Sequence, residues 1–226
     1  MFTTSSLTGG SHSIKAKYPG DSEFLTSTSP ALTQVVDKYA TTTTLVSGAN
    51  PSSYGQSVTF TANVTSAFSG VPTGTVTFKN GNATLGTGTL SGGMASYSSS
   101  TLTVATHTIT AVYKGDADNS TSTSPVVSQV VTKAATTTTL MSSLNPSTTS
   151  AQVTFTATVA STTSGTPTGT VLFKSGTKSL GSKTLSGGTA SVTTSMLAAG
   201  TDTITATYNG SADFTTSSDE LTQVVN

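Results

Sequence analysis

The strongest pattern in the chain is the stretch His107-Thr-Ile-Thr-Ala-Val-Tyr-Lys-Gly-Asp116. Its apolar residues Ile109, Ala111 and Tyr113 stand at every second position, which places them on one face of a pleated strand, whereas a helix would scatter them. The stretch closes with a glycine, a residue that turns a chain at little steric cost. The pattern therefore predicts a half-buried β-strand followed by a tight turn.

This stretch recurs as His12-Ser-Ile-Lys-Ala-Lys-Tyr-Pro-Gly-Asp21 and as Asp202-Thr-Ile-Thr-Ala-Thr-Tyr-Asn-Gly-Ser211. The matching isoleucines are 95 residues apart in both intervals, close to the length of one β-sandwich of about 100 residues. We therefore predict three parts: a C-terminal fragment of a repeat over residues 1–37, a complete repeat over 38–132, and a second complete repeat over 133–226.

Each complete repeat carries alternating segments for about seven strands. In the first repeat the predicted strands are 41–47, 57–65, 75–79, 83–90, 94–102, a strand around Ile109, and 124–131. Seven short strands in about 95 residues predict an all-β fold of tandem antiparallel β-sandwiches. We expect an elongated array, because no Gly/Ser-rich or Pro-rich linker separates the last strand of one repeat from the first strand of the next.

The inward positions of these strands predict one hydrophobic core per repeat. The chain has no Cys and no Trp, so aromatic residues of other types must fill the centre of each core. The predicted core residues are Phe60, Val76, Phe78, Ile109 and Tyr113 in the first repeat, and Phe155, Val171, Phe173, Ile204 and Tyr208 in the second.

The composition excludes several classes of function. Charged residues make up 8% of the 226 residues and the formal net charge is zero, against a usual charged share of about 25%. Nucleic acid is therefore not an expected partner, because phosphate binding needs a basic surface. We expect no membrane insertion, since no apolar run approaches the roughly 20 residues that a spanning helix needs. The first residues lack the basic and apolar regions of a signal peptide.

A Ser/Thr-rich chain could also be a disordered, mucin-like stalk. The regular alternation of apolar residues argues against disorder, because a solvated coil buries no face and does not require such a pattern.

Several motifs together resemble a known family. They are Leu102-x₆-Ile109-x-Ala-x-Tyr113-x-Gly-Asp, the middle segment Pro72-x-Gly74-x-Val76-x-Phe78, and a Ser-Thr-Ser-Pro-x₃-Gln-Val-Val ending. The chain is similar to the bacterial immunoglobulin-like repeats of large exported surface proteins. The resemblance implies an Ig-like sandwich and an extracellular or cell-surface location. The sequence departs from antibody domains, which carry a Cys pair and a core Trp.

No catalytic constellation is found, and we predict that the chain is not an enzyme and binds no organic cofactor. His12 and His107 share one repeat position, where the third copy has Asp202. The weak candidates for a metal are the acidic residues of the turns that follow the repeated stretch, because Ca²⁺ prefers oxygen ligands. They are Asp21, Glu23, Asp116, Asp118 and Asp213. The alternative is a solvated turn in which Asp accepts hydrogen bonds from local backbone N–H groups.

Two functions from different classes remain open. The first is a structural spacer in an exported bacterial surface or adhesive protein, whose partners are neighbouring repeats. The second is a module that binds a glycan or a host protein through its loops, for which Tyr54 and Phe68 are weak indications. Residues 1–37 lack the strands that would cover Leu7, Ile14, Ala16 and Tyr18, so we expect either the first complete repeat or another copy of the chain to pack on this segment. In the second case association would be end to end and could extend into a filament.

Overall fold

The computed structural model describes residues 1–68 and 70–226, and the described residues form strands, turns and loops without a helix. They fold as two compact units. Unit 1 comprises Met1–Gly48, Thr59–Tyr97 and His107–Ser128. Unit 2 comprises Ala49–Val58, Ser98–Thr106 and Gln129–Asn226.

The strands follow the predicted repeats along the chain. Residues 1–37 contain β1 (Gly10–Ile14), β2 (Lys17–Tyr18), β3 (Ser27–Thr28) and β4 (Leu32–Val36). The first repeat contains β5 (Thr41–Ser47), β6 (Ser52–Ser53), β7 (Val58–Ser66), β8 (Thr75–Asn80), β9 (Ala83–Thr89), β10 (Met94–Ser99), β11 (Thr106–Tyr113), β12 (Ser122–Thr123) and β13 (Val127–Thr132). The second contains β14 (Thr136–Ser142), β15 (Val153–Ser161), β16 (Thr170–Ser175), β17 (Lys178–Thr184), β18 (Thr189–Thr194), β19 (Gly200–Tyr208) and β20 (Ser217–Val225).

The second repeat has the predicted sandwich of seven strands. One sheet has the order β14-β15-β18 and the other has the order β17-β16-β19-β20. The alternating pattern of β15 explains the packing, because Val153, Phe155, Ala157 and Val159 are buried while the residues between them face outward. These side chains join those of the opposite sheet in one core.

Unit 1 contains most of the corresponding strands of the first repeat, whereas β6 and residues 129–132 of β13 belong to unit 2. Strand β7 lies between β5 and β10 in one sheet. In the other sheet β8 pairs with β9 and with β11, and β12 pairs with β11. The all-β prediction is confirmed. The structure buries all ten of the predicted core residues, each with 0% exposure: Phe60, Val76, Phe78, Ile109, Tyr113, Phe155, Val171, Phe173, Ile204 and Tyr208.

The last strand of the first repeat differs from the prediction of a continuous strand over 124–131. It is interrupted at Ser124-Pro125, between β12 and β13. The first repeat has one residue more between Ser122 and Gln129 than the second has between Ser217 and Gln223, and β20 runs through this stretch without a break. Two features explain the difference: the extra residue disrupts the pairing register, and proline has no N–H group to donate to the neighbouring strand.

Candidate interaction surfaces

The turn between β11 and β12 carries the acidic residues that are candidates for a metal. The Asp116 carboxylate accepts hydrogen bonds at Oδ2 from Thr73 N (2.9 Å) and Thr73 Oγ1 (3.0 Å). Its Oδ1 accepts from Asp118 N (2.9 Å) and Asn119 N (2.8 Å), and Asn119 Nδ2 donates to both oxygens. N–H and O–H donors therefore surround the carboxylate, as in a capped turn.

These donors control the ionisation of Asp116. Partial burial acts to raise the pKa of the carboxyl, but the hydrogen bonds from Thr73, Asp118 and Asn119 outweigh it and lower the pKa below its usual value. The neighbouring Tyr113 hydroxyl has no hydrogen-bond partner among the described residues. Burial, followed by the nearby Asp116 carboxylate, raises the pKa of Tyr113 to about 12.

Acid should therefore weaken the first repeat through Asp116. A carboxyl with a lowered folded-state pKa stabilises the fold fully above its unfolded pKa of about 4, and this contribution is lost as the pH falls towards the folded pKa. Asp116→Ser introduces the residue type that the second repeat has at the matching position, Ser211. We expect it to cost about 2 kcal/mol at pH 6 and to flatten the dependence of melting temperature on pH below about 4.

The matched control for this experiment is Asp37→Ser, since Asp37 is exposed. It should leave the acid dependence of the melting temperature unchanged. Parallel acid curves for Asp116→Ser and the unaltered chain would contradict the role of Asp116.

The matching turns of the other two copies differ in hydrogen bonding at the position of Asp116, which is occupied by Asp21 and by Ser211. Asp21 Oδ1 accepts from Glu23 N and Phe24 N, both at 2.9 Å. The Tyr18 hydroxyl donates to Asp21, and this hydrogen bond is the largest cause of the lowered pKa of Asp21. In the third copy Ser211 Oγ accepts from Asp213 N at 3.4 Å. Within residues 1–68 and 70–226, no three His, Asp or Glu side chains form a group that could hold a metal ion.

The two histidines have structural partners. His12 Nε2 lies 2.7 Å from Thr8 O, and the buried His107 has Nδ1 2.9 Å from Asn80 Nδ2. In the described part of the chain, no helix is long and apolar enough to cross a membrane.

Segment Ala49–Val58 belongs to the first repeat by sequence but is part of unit 2. It contains a tight turn over residues 53–56, called here the Tyr54 turn. Gln56 N donates to Ser53 O (3.0 Å), and Ser53 N donates to Gln56 Oε1 (2.9 Å). Gly55 has a φ of 76°, which favours glycine. The turn is therefore held in shape by its own residues.

The Tyr54 turn docks on residues of the second repeat. The Tyr54 ring meets Phe214 edge to face, with centroids 5.5 Å apart at 83°. Thr163 Oγ1 donates to Tyr54 O (2.6 Å), and Ser164 Oγ donates to Gly55 O (2.5 Å). Gly55 and Ser164 fit closely, because a Cβ at Gly55 would lie 2.0 Å from Ser164 O. The sequence predicted no such contact for Tyr54.

Tyr54→Ala should destabilise unit 2. The substitution removes the ring that packs against the core cluster of unit 2, and we expect a loss of about 2 kcal/mol from the lost burial and the lost edge-to-face pair. Urea unfolding of the full chain measures it. Thr149→Ala is the matched control, because Thr149 is exposed at the equivalent position of the second repeat. Equal stabilities of the two variants would contradict the docking.

Unit 1 has an aromatic surface at the positions where unit 2 receives the Tyr54 turn. Tyr39 and Phe68 stack with ring centroids 4.7 Å apart at 12°, and they are 42% and 58% exposed. An open cavity of about 460 Å³, bordered also by residues 5–8, Thr73 and residues 116–118, is lined by these two rings together with Gly70, Val71 and Asn119. We call these five residues the Tyr39–Phe68 surface. Of the sequence-predicted indications, Phe68 lies here and Tyr54 does not.

Residues 1–37 leave their apolar face uncovered, as the sequence predicts. Ile14 and Tyr18 are each 40% exposed, whereas Ile109 and Tyr113 at the same repeat positions are 0% exposed. The segment contacts the turn of the first repeat, because Gly9 N donates to Asp118 Oδ1 at 3.2 Å. A Cβ on Gly9 would lie 2.6 Å from Lys38 Cγ and 2.8 Å from Ala117 O. This contact leaves the Ile14 face open.

Two buried glutamines have a structural role that the sequence did not indicate. Gln223 is 0% exposed. Its Nε2 donates to Leu144 O (2.8 Å), Ser147 Oγ (3.3 Å) and Val224 O (3.1 Å), and its Oε1 accepts from Ser142 Oγ (2.7 Å). The feature of the sequence that could have indicated this role is the recurrence of Gln in all three copies, at positions 34, 129 and 223.

Gln129 repeats the arrangement in the first repeat, with Nε2 donating to Ala49 O at 2.9 Å and to Ser52 Oγ at 3.1 Å. An asparagine in each repeat adds to it: Asn50 Oδ1 accepts from Val130 N, and Asn145 Oδ1 accepts from Val224 N. These side chains tie the segment after the first long strand to the last strand of each repeat.

Comparison with protein families agrees with this architecture. The bacterial Ig-like domain family (group 3) matches residues 45–132 and again residues 139–226. The chain belongs to this family. It therefore contains two tandem bacterial Ig-like domains, and the resemblance predicted from the motifs is confirmed. The match indicates no enzymatic family. A search of curated proteins finds no match.

The solved structures that match the chain include bacterial and mouse proteins. The fibronectin(III)-like modules of Clostridium thermocellum CbhA share 18% identity over 82% of this chain and 94% of that chain, with a TM-score of 0.36. The Escherichia coli adhesin FdeC shares 18% identity over 87% of this chain and 68% of that chain, with a TM-score of 0.34. The Yersinia pseudotuberculosis adhesin InvE shares 14% identity over 81% of this chain and 58% of that chain, with a TM-score of 0.35.

Proposed function

We propose that the two bacterial Ig-like domains serve as load-bearing spacers in an exported bacterial surface or adhesive protein, without a catalytic reaction of their own. The observation that carries the proposal is the double engagement of the segment around Tyr54. Strand β6 pairs in parallel with β13, Ser52 with Val131, and Tyr54 N donates to Thr132 O. The next residues of the same segment bond to Thr163 and Ser164. One short segment thus ties consecutive repeats together.

The second repeat has the same parallel pairing near its C-terminal end. Ser147 bridges to Val225, with Ser147 N donating to Val224 O (2.9 Å) and Asn226 N donating to Ser147 O (2.8 Å). When a parallel pair of this kind is pulled along the strands, its hydrogen bonds are sheared together rather than opened one by one. Simultaneous rupture needs more force than sequential rupture, so this arrangement suits a chain that transmits tension.

Single-molecule stretching of the full chain tests the proposal. We expect separate unfolding events, each releasing about 30 nm, since each repeat is near 95 residues and an extended residue spans about 3.6 Å. Ser147→Pro removes the donor to Val224 and should lower the unfolding force of one repeat only, with the other repeat as internal control. Smooth extension without force peaks would overturn the spacer proposal.

The second candidate is a binding module that recognises a glycan or a protein through the loops. The Tyr39–Phe68 surface favours it, because exposed aromatic residues are enriched at interaction sites. The exposed pair of Tyr39 and Phe68 is peculiar to the first repeat, since Ala134 and Thr163 stand at the matching positions of the second. Glycan-array and cell-binding assays with the full chain test this candidate. Saturable binding that Phe68→Ala abolishes would support it.

Association of chains through residues 1–37 is a further part of the proposal. The exposed side chains of Ile14, Tyr18 and Leu32 form an apolar face that another copy could cover. We expect the sedimentation coefficient of the chain to rise with concentration. Ile14→Lys with Leu32→Lys should abolish the rise, whereas Ser11→Lys at an exposed position of the same segment should not. A chain that sediments as a monomer at all concentrations would contradict the association.

A further inference from the structure

The second repeat shows what kind of partner this part of a repeat accepts. Its receiving surface is formed by Ala134, Thr163, Ser164, Gly165 and Phe214. Phe214 is 3% exposed and Ala134 is 0% exposed. The occupant is the Tyr54 turn, which inserts an aromatic ring against Phe214 and brings its two carbonyl groups to hydroxyl donors.

The Tyr39–Phe68 surface is the same surface in the first repeat. Backbone bonds prove the equivalence: Tyr39 N donates to Asp118 O and Tyr39 O accepts from Ser120 N, while Ala134 N donates to Asp213 O and Ala134 O accepts from Thr215 N. Isolated bridges join Tyr39 to Asn119 and Ala134 to Phe214. Both surfaces also contain a glycine of positive φ, 134° at Gly70 and 118° at Gly165.

The two surfaces present aromatic rings from different positions. In the second repeat the ring is that of Phe214, whereas Asn119 occupies the matching place in the first. The first repeat instead has Tyr39 and Phe68 where the second has Ala134 and Thr163. The aromatic side chains therefore come from different positions in the two surfaces. The cavity of about 460 Å³ beside Tyr39 and Phe68 is larger than one aromatic side chain.

We propose that the Tyr39–Phe68 surface is a docking site for an aromatic-glycine turn of another bacterial Ig-like repeat, equivalent to the Tyr54 turn. The ring of the incoming turn packs against Phe68 and Tyr39 in the cavity and lies beside Gly70, as the Tyr54 ring lies beside Gly165 in the second repeat. This partner fits better than a sugar. Tyr39 and Phe68 cover one face of each other by stacking, and the Asp116 carboxylate at the cavity wall already accepts hydrogen bonds from Thr73 and Asn119.

The probe for this site is a peptide of residues 52–56 that is cyclised through added terminal cysteines. The peptide is suited to the test because the Tyr54 turn is closed by its own Ser53–Gln56 hydrogen bonds. Binding is expected to be weak, since one turn buries far less than the roughly 1,200 Å² of a stable interface. Amide NMR titration of the full-length chain detects weak binding residue by residue.

We use the Tyr54→Ala chain as receptor, because the substitution removes the ring that packs against Phe214 in the second repeat. The peptide should shift the resonances of Tyr39, Phe68 and Asn119, and also that of Phe214. A peptide with alanine in place of Tyr54 should bind about tenfold more weakly, in line with the loss of one aromatic pair. Phe68→Ala in the receptor should abolish the shifts at Tyr39 and Asn119 and leave the shift at Phe214.

Three results would overturn the proposal. The first is a shift at Phe214 alone, and the second is no shift at either surface at millimolar peptide. The third is a shift of Tyr39 and Phe68 by neutral oligosaccharides but not by the peptide, which would assign the surface to glycan. The spacer proposal is judged separately by stretching, so the failure of one does not decide the other.

Discussion

Replacing Phe173 with alanine should destabilise the second repeat by about 3–5 kcal/mol, because the ring is fully buried and its removal loses apolar burial and leaves a cavity. Phe173 is 0% exposed in the middle of β16 and belongs to the core cluster with Phe155 and Tyr208. The stability of an ordinary domain is about 5–15 kcal/mol. The variant should therefore melt far below the unaltered chain or fail to fold its second repeat.

Phe78→Ala should have the same effect on the first repeat, since Phe78 is also 0% exposed. Phe68→Ala is the matched control, as Phe68 is 58% exposed and should change stability by less than about 0.5 kcal/mol. Calorimetry of the full chain separates the three variants. An unchanged melting temperature for Phe78→Ala or Phe173→Ala would show that the inward assignment of these rings is wrong.

Replacing Gln223 with leucine should cost about 2–4 kcal/mol, although leucine has a similar volume and is more apolar. The substitution leaves Leu144 O and the Ser142 and Ser147 hydroxyls without the partner that they have in the buried amide. A buried polar group that loses its partner costs about 1–3 kcal/mol. Equilibrium urea unfolding measures the loss.

The chain supplies its own control for this substitution. Gln34 stands at the same repeat position in residues 1–37 but is exposed, so Gln34→Leu should leave the stability almost unchanged. If Gln223→Leu is as stable as the unaltered chain, the glutamine is not a structural link between the last strand and the segment around Ser147.

The strand predictions from sequence were most accurate for strands that have one solvent-exposed face and one buried face. Strand β5 has the predicted bounds, and β7 differs by one residue at each end. The prediction was wrong at Pro125, which interrupts the last strand of the first repeat. The missing N–H of proline was visible in the sequence, but its effect depends on whether a neighbouring strand needs that donor.

The interaction surfaces were much harder to predict. Tyr54 and Phe68 look alike in sequence as aromatic residues in loops, yet Tyr54 packs against a core cluster while Phe68 is exposed beside Tyr39. Likewise, the sequence does not specify whether the face of the strand that carries Gln129 is buried or exposed to solvent. Only the approach of Ala49 and Ser52 makes it a buried donor.

By itself, the sequence determined the all-β class, the repeat of 95 residues and the ten core positions, because alternation of side chains along a strand is a local property that needs no knowledge of neighbours. Tertiary structure alone decided that Ala49–Val58 joins unit 2 and that the Asp116 carboxylate accepts hydrogen bonds from Thr73. These features depend on contacts between residues distant in the chain. A pattern of residue types cannot specify such contacts, because the burial and hydrogen bonding of a residue depend on which distant segment packs against it.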